Sequence, residues 1–148
     1  MTRTRTVLWA AVAGPVLALA VAAIAATPAE DRRATMKDTG FAMRDSVGLA
    51  TGQTPWDAAK AKVLMDRIAA NAKKLHGLYP AASANDPKTE ADPKIWTNKA
   101  DFDKRLTEMG KLAATTSKAK TVDAFKPAFQ QVSATCKSCH DIYRKKKA

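Results

Sequence analysis

FKPAFQQVSATCKSCHDIY, Phe125 to Tyr143, carries apolar or thiol side chains at Phe125, Phe129, Val132, Cys136, Cys139 and Tyr143. Their separations alternate between four and three residues, the mark of a helical seam buried against other helices and not of a strand. Pro127 is tolerable in such a helix only if it starts near Thr121 to Asp123, where the missing N–H lies in or next to the first turn. Both cysteines therefore face inward, and the helix needs partners to cover its seam.

Working back from this stretch, three more segments show the same periodicity, and no sustained period-two alternation occurs anywhere. The first runs from about Asp31 to Ala50, with Met36, Gly40, Met43, Val47 and Ala50 on one face and Gly52 as a stop signal. The second opens at Thr54-Pro55-Trp56-Asp57, read as an N-cap threonine, a proline at the first helical position and an acid completing a capping box. Its stripe is Ala61, Met65, Ile68, Ala72, Leu75 and Tyr79, and Pro80 ends it. The third is expected between Pro93 and Thr116 with Phe102, Leu106, Met109 and Ala113 inward, Gly110 and Thr115-Thr116-Ser117 weakening its second half. Residues from Ala81 to about Pro93 lack periodicity and read as the one long connection, crossing between ends of a bundle. The fold class is thus all-α, an antiparallel four-helix bundle with short first and third connections.

The N-terminus stands apart from this pattern. Arg3 and Arg5 precede an apolar run from Val7 to Ile24, and Ala23-Ile24-Ala25 is a small-x-small cleavage site, so residues 1–25 read as a secretory signal. The run borders on membrane-spanning length, which leaves open an uncleaved anchor and membrane association through it. Ala18-Leu19-Ala20 offers an earlier cleavage site. The bundle domain is then 26–148, and export to the periplasm follows. Removing 1–25 takes two of the 25 basic residues and none of the 14 acidic ones, leaving a formal charge of +9. Such a surface steers association with acidic proteins, anionic membranes or nucleic acid, and export makes nucleic acid the least fitting of these. The lysines Lys145, Lys146 and Lys147 also suit a solvated helix end, where cations complement the macrodipole.

Cys136-x-x-Cys139-His140 carries the chemistry. On a helix, residues i, i+3 and i+4 share one side, so two thiols and an imidazole converge. The spacing is that of covalent c-type haem attachment, in which each thiol adds across a vinyl group and the imidazole reaches the iron. A zinc site would need about four ligands, and only His76 and carboxylates remain to complete one. A redox dithiol belongs at a helix N-terminus, where the dipole lowers the thiol pKa, and these cysteines lie late in their helix. Two inert buried cysteines would leave the adjacent histidine unexplained.

The chain resembles the cytochrome c′ and cytochrome c-556 family, the class II c-type cytochromes, over essentially its whole mature length. The resemblance rests on Cys136-Lys137-Ser138-Cys139-His140 followed by Tyr143-Arg144, on Arg32-x-x-x-Met36-Lys37, and on Asp92-Pro93-Lys94-Ile95-Trp96. It implies one haem c held by two thioethers at Cys136 and Cys139, with His140 as proximal iron ligand. It implies further that Arg32 pairs with a haem propionate and that Arg144 is the basic residue near the proximal histidine. Met36 matches the position facing the distal side of the iron. In the c-556 type a methionine there ligates, and in the c′ type the residue stands off. Cleavage before Ala26 would leave fewer residues ahead of Arg32 than the family usually carries.

Residue chemistry favours Met36 as sixth ligand, since a thioether suits reduced iron and Gly40, one turn on, leaves room for a flat macrocycle. Met43, Met65 and Met109 read as core-filling, and His76, off the main stripe, as solvent-facing. The expected function is electron transfer by an exported monohaem cytochrome whose acidic redox partner meets the basic residues from Arg144 to Lys147. With Met36 standing off, the iron would instead bind nitric oxide or carbon monoxide. The resemblance also admits a homodimer through the first two helices. No nucleophile–base pair, phosphate loop or carboxylate dyad marks the chain as an enzyme, and Asp101, Asp103 and Glu108 read as a solvated helix face.

Overall fold

A computed structural model describes residues 26–87 and 89–146. The segment read as a signal, 1–25, and Lys147 lie outside the described residues. The helices are α1 (Pro28–Thr51), α2 (Ala58–Leu75), the single turn α3 (Lys94–Thr97), α4 (Lys99–Thr116) and α5 (Val122–Tyr143). Packing runs α1 on α2, α2 on α4, α4 on α5 and α5 back on α1, which closes a four-helix bundle around one core. Among the described residues no helix is long and apolar enough to cross a membrane.

α1 begins earlier than the periodicity suggests. Thr27 caps it, with Thr27 Oγ1 accepting from Glu30 N at 3.2 Å and Glu30 Oε2 accepting from Thr27 N at 2.9 Å, a complete capping box. Arg32 and Met36 therefore sit within the first turns of a formed helix. Gly52, at φ 78°, ends α1 in the left-handed conformation that glycine adopts without penalty.

The core-facing side of α1 corrects the expected stripe. Its buried positions are Ala29, Arg32, Thr35, Thr39, Ala42, Ser46 and Leu49, one residue round from Met36, Gly40, Met43 and Val47. Hydroxyls can occupy this seam because each bonds inside its own helix: Thr35 Oγ1 to Asp31 O (2.8 Å), Thr39 Oγ1 to Thr35 O (2.9 Å) and Ser46 Oγ to Ala42 O (2.7 Å). Polarity at the buried positions hid the seam from a search for apolar periodicity.

α2 also starts elsewhere than expected. Its cap is Asp57, not Thr54, because the carboxylate takes two orphan donors, Ala59 N at 2.8 Å and Lys60 N at 3.0 Å. Thr54 instead folds back, its N–H bonded to Gly48 O at 3.0 Å. At the other end α2 tightens into a 3-10 turn, His76–Leu78, before Tyr79 and Pro80. The predicted third helix is divided: the backbone of Asn98 both closes α3, bonding Lys94 O, and opens α4, receiving Phe102 N. α4 then runs unweakened through Gly110, where a Cβ would come within 3.3 Å of the Ala72 Cβ, so glycine allows α2 and α4 to approach.

α5 forms as read, capped by Thr121 and carrying Pro127 in its second turn. Phe125 stacks on Phe129 at 5.3 Å between centroids, and Trp56 tilts against Phe125, so the aromatic half of the seam fills the lower core. The crossover loop is clamped at both sides. Arg32, only 3% exposed, donates to Leu78 O, Ser83 Oγ, Ser83 O and Thr89 Oγ1, with its guanidinium over the Tyr79 and Trp96 rings. At the far side Asp92 N bonds Tyr143 O, Lys145 N bonds Glu90 O, and Arg144 pairs with Glu90.

Ile68, fully buried on α2, gives the core a direct stability test. Ile68→Ala should lower the unfolding free energy by about 2–5 kcal/mol in urea denaturation, through lost burial and a residual cavity. Val63→Ala, on the exposed face of the same helix, should change it by less than about 0.5 kcal/mol.

Candidate functional site

Between α1, α4 and the last turns of α5 lies a cavity of about 560 Å³, within the size range of small-ligand and cofactor sites. Cys136, Cys139, His140 and Tyr143 form its α5 wall, and Met36, Gly40 and Met43 its α1 wall. Phe102, Leu106 and Met109 of α4 complete an apolar interior, with Tyr79 and Ile95 also on the lining. The face of α1 that carries Met36, Gly40 and Met43 is thus apolar and periodic because it borders this cavity and not the packed core.

The α5 seam changes role along its length. Phe125, Phe129 and Val132 are buried, whereas Cys136 and Cys139 are half-buried and meet the cavity. Desolvation raises the Cys136 thiol above its ordinary range and pushes Cys139 up to about 11. Both sulfurs are therefore neutral thiols at pH 7, unlike the low-pKa thiolates of redox dithiols. The His140 ring is reachable by solvent at the cavity wall, yet surrounding atoms desolvate it, and with the Arg144 charge this lowers its pKa. A neutral imidazole, the form that binds a metal, is favoured. Among the described residues no group of three or more histidine, cysteine or acidic side chains is placed to hold a metal ion.

The lining is basic: Arg32, Arg33, Lys37, Arg105 and Arg144 all contribute, against the single acid Glu90. Arg32 reaches the lining, but four bonds already tie its two terminal nitrogens to the crossover loop. Arg144 is exposed and held by Glu90, with Nε and Nη2 both on Oε2. His76 does not line the cavity; its Nδ1 lies 3.3 Å from Asp103 Oδ1 and its Nε2 3.4 Å from Thr107 Oγ1.

Several site residues were not singled out from sequence. Arg33 and Arg105 could have been found only by knowing the rotation of α1 and α4. Asp101, read as part of a solvated face, accepts from both Tyr143 OH and Arg105 Nε at 2.7 Å on Oδ2. The Asp101 to Arg105 spacing of one turn was a visible signal for the second of these bonds. Tyr79 is likewise part of the wall; its ring lies 4.6 Å from Phe102 and Phe102 lies 5.3 Å from Tyr143, both edge-on.

The pieces fit a large flat macrocycle with peripheral carboxylates: two neutral thiols one turn apart, an adjacent neutral imidazole, an apolar slot and basic groups on its lining. At Gly40 a Cβ would meet nothing within 4 Å, so the α1 wall is open there beside Met36.

Comparison with known proteins points the same way. The model of the family described as Cytochrome C' matches residues 27–144. A cytochrome c' of Rhodopseudomonas palustris is 35% identical over 119 residues, covering 79% of this chain and 81% of the relative. A cytochrome c-556 of the same organism is 32% identical over 141 residues, covering 91% and 95%. The solved structure of cytochrome c' from Rhodopseudomonas palustris superposes with a TM-score of 0.79 at 32% identity, covering 84% of this chain and all of that one.

The chain has two tyrosines, and both border the cavity. Burial pushes Tyr79 up to about 12, and Tyr143 also rises to about 12, through desolvation first and its bond to Asp101 second. Since the folded pKa lies above the unfolded value of 10.0, the folded chain keeps protons that the unfolded chain releases. Their contribution to stability is present below pH 10 and falls as pH rises toward 12. Absorbance titration should show no phenolate step near pH 10 while the fold persists, and a step there would contradict this environment.

Proposed function

The chain belongs to the cytochrome c′ family, and on that premise we propose that it is an exported monohaem c-type cytochrome that transfers electrons. The observation that carries this reading is the convergence of Cys136, Cys139 and His140 on one wall of a cavity whose α1 wall presents Met36. In this reading residues 1–25 direct export to the periplasm and 26–148 form the haem-bearing domain.

Cys136 and Cys139 would hold the haem through two thioethers, and His140 would be the proximal ligand. Held on a packed helix, these three side chains would orient the group they bind. Haem so bound supplies one-electron exchange between ferric and ferrous iron. Met36 would ligate from α1, a neutral thioether that favours the reduced state. His140 and Met36 lie on packed helices, so both side chains would keep their positions whether the iron is ferric or ferrous. Leu106, Met109 and Phe102 exclude water from the interior, and basic groups on the lining would compensate the propionates. Arg32 would add its charge from the lining while its terminal nitrogens stay bonded to the crossover loop, and Arg144 would support the His140 side.

Arg144, Lys145 and Lys146 are exposed next to His140, a basic rim suited to an acidic redox partner. Phe41 and Val47 on α1 and Val63 on α2 are exposed, which supports a homodimer through these helices. A second reading has an observation of its own: the open space at Gly40, beside a half-buried Met36, leaves room for nitric oxide or carbon monoxide if Met36 stands off.

Optical spectra of the haem-loaded protein separate the two. The expected result is a low-spin ferrous spectrum that carbon monoxide does not change. Met36→Ala should convert it to a high-spin form that binds carbon monoxide. A high-spin wild type that takes up carbon monoxide would replace electron transfer by gas binding, and a Met36→Ala variant that stays low-spin would remove Met36 from the iron.

A further inference from the structure

Asp101 and Arg105 face each other one turn apart on α4, with Arg105 Nε and Tyr143 OH both bonded to the same carboxylate oxygen at 2.7 Å. Arg105 lines the cavity; Asp101 does not. Tyr143, which anchors the carboxylate, lies one turn beyond Cys139 on α5 and is 3% exposed. Arg105 and Cys139 line the same cavity. A cation is therefore held at the thioether edge of the cavity, with its counter-ion behind it and a buried tyrosine fixing the pair.

A partly exposed i, i+4 pair would contribute little to stability. Charge near a redox centre has a different effect. Reduction adds one electron, so a nearby cation favours the reduced state and a nearby anion the oxidised one. The two side chains retain 31% and 36% exposure, so solvent and salt weaken the field without abolishing it.

We propose that the Arg105–Asp101 pair, locked by Tyr143 at the Cys139 edge of the cavity, tunes the reduction potential of the bound haem as two opposed charges, of which Arg105 alone lines the cavity. Arg105, on the lining, raises the potential, and Asp101 offsets part of that rise. These are positioning residues that touch no reacting atom. The proposal rests on the haem reading of the same cavity and is independent of whether Met36 ligates.

The test is redox titration of the haem-loaded wild type, Arg105→Gln, Arg105→Lys and Asp101→Asn, with Lys62→Gln as a control in an exposed pair on the outer face of α2. Arg105→Gln should lower the midpoint potential, Asp101→Asn should raise it, and Arg105→Lys should stay near wild type. Both shifts should shrink as salt is added, and the optical spectra should keep the wild-type axial ligation. A merely structural role would move both variants the same way. Shifts of one sign, or shifts no larger than that of Lys62→Gln, overturn the proposal while leaving the haem reading intact. If Asp101→Asn fails to load haem, Arg105→Gln against Arg105→Lys decides alone: equal potentials overturn it. A wild type without haem overturns both readings.

Discussion

Cys136 and Cys139 share a face of α5 with Phe125, Phe129 and Val132, so burying the aromatic half of that face commits the thiol half to the same direction. Rotating α5 to release the thiols would expose two phenylalanines and a valine, at roughly 1.5–3 kcal/mol for each such side chain. The core thereby aims the chemistry. Desolvation of the two sulfurs, which keeps them as neutral thiols, follows from that same register.

The opposite wall depends on a less obvious device. α1 presents three hydroxyls to the packed core alongside Ala42 and Leu49, and those hydroxyls are satisfied within the helix. Its methionines are left on the neighbouring face, where they border the cavity. Arg32 then ties this helix to the crossover loop through a cluster of buried acceptors, and the loop is tied in turn to the residues that follow α5. A buried guanidinium is tolerable because it is both hydrogen-bonded and stacked on Tyr79 and Trp96. One wall is set by the α5 register and the other by this clamp, so the cavity's shape is fixed from both sides.

Much of this was legible in the residues. The α5 seam, the four helices, the long crossover and the gathering of Cys136, Cys139 and His140 all follow from spacing. The rotation of α1 did not, because Thr35, Thr39 and Ser46 look like surface residues until their bonds to preceding carbonyls are seen. The start of α2 was misread because Thr54-Pro55 imitates a helix opening, whereas the Asp57 carboxylate satisfies two donors where Thr54 would satisfy one. The break at Asn98 is a backbone event without a side-chain signature. Asp101 appeared to be one of several acids on a wet face, since its partner Tyr143 is 42 residues away in sequence. Local patterns revealed the elements; contacts between distant elements decided which of their faces mattered.

Intact-mass measurement of the chain matured in cells that attach haem, before and after acid–acetone extraction, tests the central claim most directly. The predicted result is one haem that remains on the wild-type chain through extraction, and that is lost when Cys136 and Cys139 are both replaced by alanine. A wild-type chain that carries no haem, or one that surrenders it to acid–acetone, would contradict the assignment of this cavity.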